Sequence, residues 1–422
     1  MVVEEDMITT IEVGEDVKVT GASDSNTVSD AELIRAVPIS LAVDKAVWAS
    51  YTGTNETFQA STPISPCTPG IGIRAFLSHS WNDPGLVAKG LDPGACKRRT
   101  LLWFTTVYKT IFYTTALYVA YGIIAYLTLG PTSEYVLAMT PIPFVTALIV
   151  SFEINYGAKK PYSVVSPYPC LWLDKYCIHQ SNKEIQRRGI EKFDDILDHS
   201  QQLWILWTEE YFTRIWCVYE CARWFSTKGS DGVVVLPLKF YAILHTFAPL
   251  FLTAIIGAFG SGWTWLAWGA AINGETAKSS AFGTCVGIVL IFEPLFFLAF
   301  FFLSYAELRS CDKTLKDFDV RNCKATFEND ILIVQGLIRE RWGENLGSVH
   351  GGSTLKGPGE PSCLSDDGGV KDEGLDRFNE FVRKDFRKLF HASLYREARN
   401  MTLGTCLIFL AFLLCSALCL CT

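Results

Sequence analysis

The sequence predicts an α/β domain, a parallel sheet with helices on its faces, interrupted by a membrane hairpin and joined to an α-helical transmembrane bundle. Three observations predict it. Several long segments carry almost no charge, short apolar runs alternate with stretches of helical period, and polar residues cluster just after the apolar runs.

The membrane expectation rests on residues 111–129, 240–260 and 402–421, which hold no charge, and on 282–305, which holds Glu293 alone. Each approaches the roughly 20 residues an α-helix needs to cross about 30 Å of hydrocarbon; the alternative for each is a buried core helix. Residues 136–152 are shorter and contain Pro141 and Pro143. The chain of 422 residues is 49% hydrophobic, with a mean hydropathy of +0.22, so apolar residues are in excess. Lys97, Arg98 and Arg99 precede the first segment, Lys159 and Lys160 follow the second, and the turn between them has no Lys or Arg. By the positive-inside rule the expectation is a multi-pass integral membrane protein in the lipid bilayer, with the N-terminus and the α/β domain cytoplasmic. Trp263, Trp265 and Trp268 suit an interfacial belt. No apolar stretch follows the acidic start at residues 1–6, so the first span is expected to act as the targeting signal.

A net charge of −7 argues against a nucleic-acid partner. The 14 cysteines are scattered, form no CxxC pair and lack zinc-ligand spacing, so free thiols in a reducing compartment are expected and no metal site.

The resulting organisation is a mobile leader over 1–70, with a short helix near 31–37, and an α/β domain over 71–100 and 156–238. Transmembrane hairpins follow over 103–155 and 239–305. A cytoplasmic helical region covers 306–400 with a flexible loop at 343–374, and a last transmembrane helix covers 402–421. In the α/β part, Ile73-Arg74-Ala75-Phe76-Leu77 reads as a buried strand running into the polar Ser78-His79-Ser80-Trp81-Asn82-Asp83. Cys170-Leu171-Trp172-Leu173-Asp174 is a second strand ending in a carboxylate, and residues 183–200 have helical spacing. Leu203-Trp204-Ile205-Leu206-Trp207 is a third strand, 213–226 a second helix, and Val233-Val234-Val235-Leu236-Pro237-Leu238 a fourth strand. Ligands of such sheets bind beyond the C-terminal strand ends, where Ser78 to Asp83, Asp174, Lys175, Glu209 and Glu210 fall. Phe327, Ile331, Val334 and Ile338 mark an amphipathic helix. Residues 375–399 set Phe378, Phe381, Val382, Leu389 and Phe390 against a basic face, which fits either an anionic leaflet or packing on the sheet.

Three motifs carry a family resemblance. Phe76-Leu77-Ser78-His79-Ser80-Trp81, then Leu171-Trp172-Leu173-Asp174-Lys175-Tyr176-Cys177-Ile178-His179-Gln180, then Arg214-Ile215-Trp216-Cys217-Val218-Tyr219-Glu220 resemble the TIR-like superfamily. The second is similar to the tryptophan–aspartate–cysteine–isoleucine–glutamine run of fungal heterokaryon-incompatibility domains. The third is similar to the tryptophan–cysteine–x–x–glutamate of plant-type TIR domains. The resemblance covers about residues 71–84 and 168–240 and implies a flavodoxin-like sheet; Phe318-Asp319-Val320-Arg321 and Phe378-Asn379-Glu380-Phe381-Val382-Arg383 resemble multi-span proteins of microbial eukaryotes that carry the domain.

In TIR domains that cleave NAD, the catalytic glutamate lies on the helix after the third strand, and Glu220 matches it by position. The resemblance then implies that Ser78, Trp81 and Asp83 line a cofactor cleft and that Asp174 orients a ribose hydroxyl or holds Lys175. A carboxylate there can stabilise the oxocarbenium-like charge of nicotinamide–ribose cleavage. Plain structural roles remain open: Asp174 as a turn cap, Glu220 paired with Arg214 or Arg223, and Trp216 and Cys217 as core. Ser78 and His79 are adjacent on a strand end and point to opposite sides, which argues against a hydrolase triad. The departure from the family is the long insertion over 83–169, which puts two spans where one cleft wall belongs.

Three functions follow as expectations. The first is a membrane-tethered TIR-like signalling or interaction module, partnered by TIR-type proteins or by its own copies. The second is a membrane NAD glycohydrolase using Glu220, with NAD as substrate. The third is a transporter or channel with a regulatory domain, to which Glu293 inside a span points.

Overall fold

A computed structural model describes residues 29–43, 55–63, 73–107, 170–242, 309–343 and 372–396, apart from Asn82 and Thr326, and a few isolated positions besides. The elements run in order β1 (Arg35–Pro38), α1 (Ile39–Ala42), α2 (Asn55–Ala60), β2 (Thr62–Pro63), β3 (Ile73–His79), α3 (Pro84–Ala88), α4 (Pro93–Leu102) and β4 (Cys170–Trp172). They continue with α5 (Asp174–Cys177), α6 (Lys183–Glu191), α7 (Phe193–His199), β5 (Ser200–Trp207), α8 (Ile215–Lys228), β6 (Val233–Pro237), α9 (Glu328–Gly343) and α10 (Glu373–Phe381).

The sheet has the order β2-β1-β4-β3-β5-β6. Strands β4, β3, β5 and β6 are mutually parallel, whereas β1 runs antiparallel to β4 and β2 antiparallel to β1. The sheet is therefore mixed, not the parallel sheet expected. The difference comes from the segment expected to be a mobile leader with a helix at 31–37. Its Arg35–Pro38 is extended and adds a strand between β2 and β4, because the apolar Ile34, Ala36 and Val37 bury there. Within the parallel part, chain order maps to spatial order as second, first, third, fourth, the order of flavodoxin-like sheets. Phe76 lies opposite Trp172 on one side and Leu203 on the other, so the expected pairing of 73–77 beside 170–174 is observed. Every β3 residue except Arg74 is buried, as a strand covered on both faces requires.

The membrane expectation is corrected. Among the described residues no helix is long and apolar enough to cross a membrane. The transmembrane bundle, the multi-pass integral placement and the orientation drawn from it thus lose their support. A physical reason lies in the core itself: near-continuous apolar strands buried on both faces also raise mean hydropathy. The segments 136–152 and 402–421, nearly all of 240–260 and 282–305, and most of 111–129 lie outside the described residues, as do Glu293 and most of the loop expected over 343–374.

The helix expected over 183–200 is two helices. Asn182 caps α6 by accepting from the N–H groups of Glu184 and Ile185, and the chain turns at Lys192 before α7. Helices α9 and α10 pack over α8: Trp342 donates to the Ala222 carbonyl at 3.2 Å and stacks edge-on to Phe378, while Phe225 meets Phe381. Beyond α10 a π-helical turn, Val382–Phe386, carries Phe386 and then Phe390 onto Trp207. Of the two fates open to the basic helix, the described residues adopt packing on the sheet domain.

Candidate functional site

The C-terminal ends of β3, β4 and β5 carry the polar residues, as expected from the sheet's direction. Alternation along β3 then divides them. Ser78 points toward α8, where it donates to Glu220 Oε2 and, its one proton so used, accepts from the Tyr211 hydroxyl. All three are buried. Burial pushes the Glu220 carboxyl well above the usual range; the Ser78 hydrogen bond opposes this and the Asp174 charge adds to it. Burial thus favours its protonated form. The Tyr211 hydroxyl is also held well above its ordinary value, mainly by burial.

His79, one residue on, points the other way. Its Nε2 lies 3.3 Å from Asp174 Oδ1, an oxygen that also accepts from the Lys175 N–H at 2.7 Å. Asp174 is the first residue of α5, behind Leu173 at the cap position, so the turn-capping role left open for it is not the one it takes. The Lys175 ammonium lies 4.5 Å from the centre of the Trp81 ring and 5.5 Å from that of Trp48. Trp48 meets His79 edge-on at 5.3 Å. Burial pulls the Lys175 ammonium down to about 8, against the opposing pull of Asp174. His79 and Trp81, two residues apart on one side, thus form an aromatic and polar cluster with Asp174, Lys175 and Trp48.

Asp83 belongs to neither group. It is fully buried, pairs with Lys97 Nζ at 2.8 Å and accepts from Thr208 Oγ1 at 2.7 Å. Lys97 also donates to the Ser80 carbonyl. The Asp83–Thr208 bond ties the end of β3 to the end of β5, the switch point where open α/β sheets take their ligands, and Lys97 neutralises Asp83 there. The chain's own Lys97 fills a place the expectation gave to a cofactor.

The five expected site residues therefore split three ways. Ser78 and Glu220 touch each other, Trp81 and Asp174 sit together around Lys175, and Asp83 is locked to Lys97. Arg223, one of the arginines considered for Glu220, pairs with Asp194 and Asp198 instead, and Glu220 bonds to Ser78. Trp216 is half-buried and donates to Asp330 Oδ2 at 2.9 Å, more than a plain core residue does. Among the described residues no group of His, Cys, Asp and Glu is placed to hold a metal ion. Sequence reasoning missed Tyr211, Lys97 and Trp48. Only Lys97 carried a signal, as a lysine inside the insertion. Comparison with family models, with curated proteins and with solved structures gives no match to this chain.

Proposed function

We propose that the chain is a TIR-like signalling or interaction module that works through its surfaces, with partners of its own kind, and not by turnover. The three motifs at the strand ends and the second-first-third-fourth order of the parallel strands support the domain type. One observation carries the non-catalytic reading: the Glu220 carboxyl is buried, with its protonated form favoured, and is spent on Ser78. A carboxylate that stabilises an oxocarbenium-like ribose must be ionised and must touch the sugar.

A second reading, cleavage of NAD by Glu220, draws on the direct Ser78–Glu220 contact beyond the strand ends. A neutral carboxyl is the form a general acid takes. Purified chain incubated with NAD separates the two. The expected result is no nicotinamide release above a boiled control. Release that disappears in Glu220→Ala and persists in Asp174→Ala would replace the first reading by the second.

A further inference from the structure

His179 belongs to the second motif, and neither functional reading uses it. It lies in the turn between α5 and α6, over residues 178–182. Its Nδ1 accepts from the Asn182 backbone N–H at 2.9 Å. A backbone N–H can only donate, so Nδ1 is the bare nitrogen and Nε2 carries the proton. Asn182 in turn caps α6, its side chain accepting from the N–H groups of Glu184 and Ile185 at 3.1 and 3.2 Å. Gln180, between the two, donates to the carbonyls of Ile178 and Asp174. The imidazole therefore fixes the residue that starts α6.

The other described histidines are arranged the opposite way. His79 sets Nδ1 against the Ser80 carbonyl and Nε2 against Asp174, His199 sets Nδ1 against the Asp195 carbonyl, and His391 sets Nε2 against Asp312. Each can take up a proton and keep these bonds, because an N–H then faces an acceptor. His179 cannot. A proton on its Nδ1 would face the Asn182 N–H, donor against donor.

The surroundings of His179 oppose that proton as well. Its ring meets Phe58 of α2 at 4.8 Å between centres, and the Arg35 guanidinium of β1 lies 4.3 Å from the same Phe58 ring. Burial first, and then the Arg35 charge, pull the imidazole below its ordinary value of 6.5. The other charged or titratable groups of the neighbouring elements are engaged elsewhere. In α5, Asp174 faces His79, the Lys175 ammonium lies over Trp81, and burial pushes the Cys177 thiol up to about 12, which leaves it neutral. In α6, Glu184 pairs with Arg187 and Arg188 with Asp30, while Lys183 is exposed. Ahead of β1, Glu32 accepts from Ser29.

We propose that His179 is an acid-sensitive latch on the start of α6. Neutral, it holds Asn182 and packs on Phe58; protonated, it lets the turn over 178–182 and the first turn of α6 open. The folded state disfavours the proton, so the latch holds above about pH 6.5 and weakens as pH falls below it. The turn follows α5 directly, and Gln180 ties it to the Asp174 carbonyl, so mild acid loosens the chain next to the strand-end cluster while the sheet stays paired. This holds whether or not the domain is catalytic.

The test uses the full chain and His179→Asn, whose Oδ1 replaces Nδ1 as an acceptor and takes up no proton in this range. Backbone hydrogen exchange, corrected for the intrinsic effect of pH on its rate, is read at about pH 7.5 and about pH 5, on either side of the ordinary histidine value. In the native chain the protection of the amides over 182–186 should fall about threefold to tenfold at the lower pH, the worth of one hydrogen bond, with β5 unchanged. In His179→Asn the two conditions should give equal protection. Exchange of the histidine C2 proton, followed by peptide mass spectrometry, titrates His179 in the native chain itself and should place it below about 6.5. A titration at or above that value overturns the latch. So does protection over 182–186 that holds in acid, or a loss that persists in His179→Asn or is matched in β5.

Discussion

Replacing Lys97 by Met tests whether the filled switch point holds the sheet together. In the native chain both members of the Asp83–Lys97 pair are buried, and their charged atoms are 2.8 Å apart. Met keeps the apolar stem of lysine and removes its charge. Asp83 Oδ1 keeps the Thr208 hydroxyl, but Oδ2 loses its cation and the Ser80 carbonyl loses a donor. Breaking a buried pair from one side costs about 3–5 kcal/mol, because the remaining charge stays desolvated and uncompensated. With a urea slope of about 2–3 kcal/mol/M, the unfolding midpoint should fall by about 1–2.5 M. Urea unfolding followed by tryptophan fluorescence measures it. Asp83→Asn together with Lys97→Met should recover much of the loss, since the pair is then removed whole. A single-variant shift below about 0.3 M at unchanged slope would show that the pair is solvated and that Lys97 does not fill the switch point.

Three further outcomes follow from the same structure. Glu220 keeps its proton in the folded chain well above the 4.5 at which it ionises when exposed, so the folded state binds more protons and stability falls as pH rises from that value; Glu220→Gln should flatten this part of the profile of urea midpoint against pH. Asp312 is held by Arg387, His391 and Lys316, which keep its carboxyl well below the usual range. Its contribution is present above about pH 4 and lost as pH falls below it, so Asp312→Asn should lose stability at pH 7 and show a weaker acid transition. Trp207→Ala empties a fully buried site against Tyr211, Phe212, Phe386 and Phe390 and should cost about 3–5 kcal/mol by urea unfolding, with the helix after α10 loosening first by hydrogen exchange.

The parallel strands were legible because burial on both faces writes itself as uninterrupted apolar runs, and because each run ends in polar residues where the strand leaves the sheet. Residues 73–77, 203–207 and 233–238 all show this, and the structure puts strands there. Strand β1 was not legible. Its four residues, Arg35 to Pro38, include a charge and a proline and carry no alternation, so only pairing with β4 and β2 makes them a strand. Lys97 was read with Arg98 and Arg99 as a charge flanking a span, a reading that assumes contact with water or headgroups. In the structure Lys97 is buried while Arg99 on the same helix is exposed, and charge counting cannot tell them apart. Tyr211 lay outside every motif. Its reach back to Ser78 depends on the 3-10 turn Tyr211–Thr213, which packs it under α8. The Ser78–His79 divergence, by contrast, followed from strand period alone.

That divergence bears on what the strand ends can do. A site that cleaves a dinucleotide needs the sugar beside one carboxyl and the remaining groups on the same side of the reacting bond. Here Ser78 delivers Glu220 to the α8 face, and His79 delivers Asp174 and Lys175 to the other. Between them Asp83, held by Lys97, accepts from Thr208 beyond β5 and closes the gap from β3 to β5. No change of register brings Ser78 and His79 to one face, because neighbouring residues of a strand alternate in every register. The ladder to β5, unbroken from Ala75–Gln202 to His79–Leu206, holds the strand end in this setting, so the division of the two carboxyl groups is a property of the strand period itself.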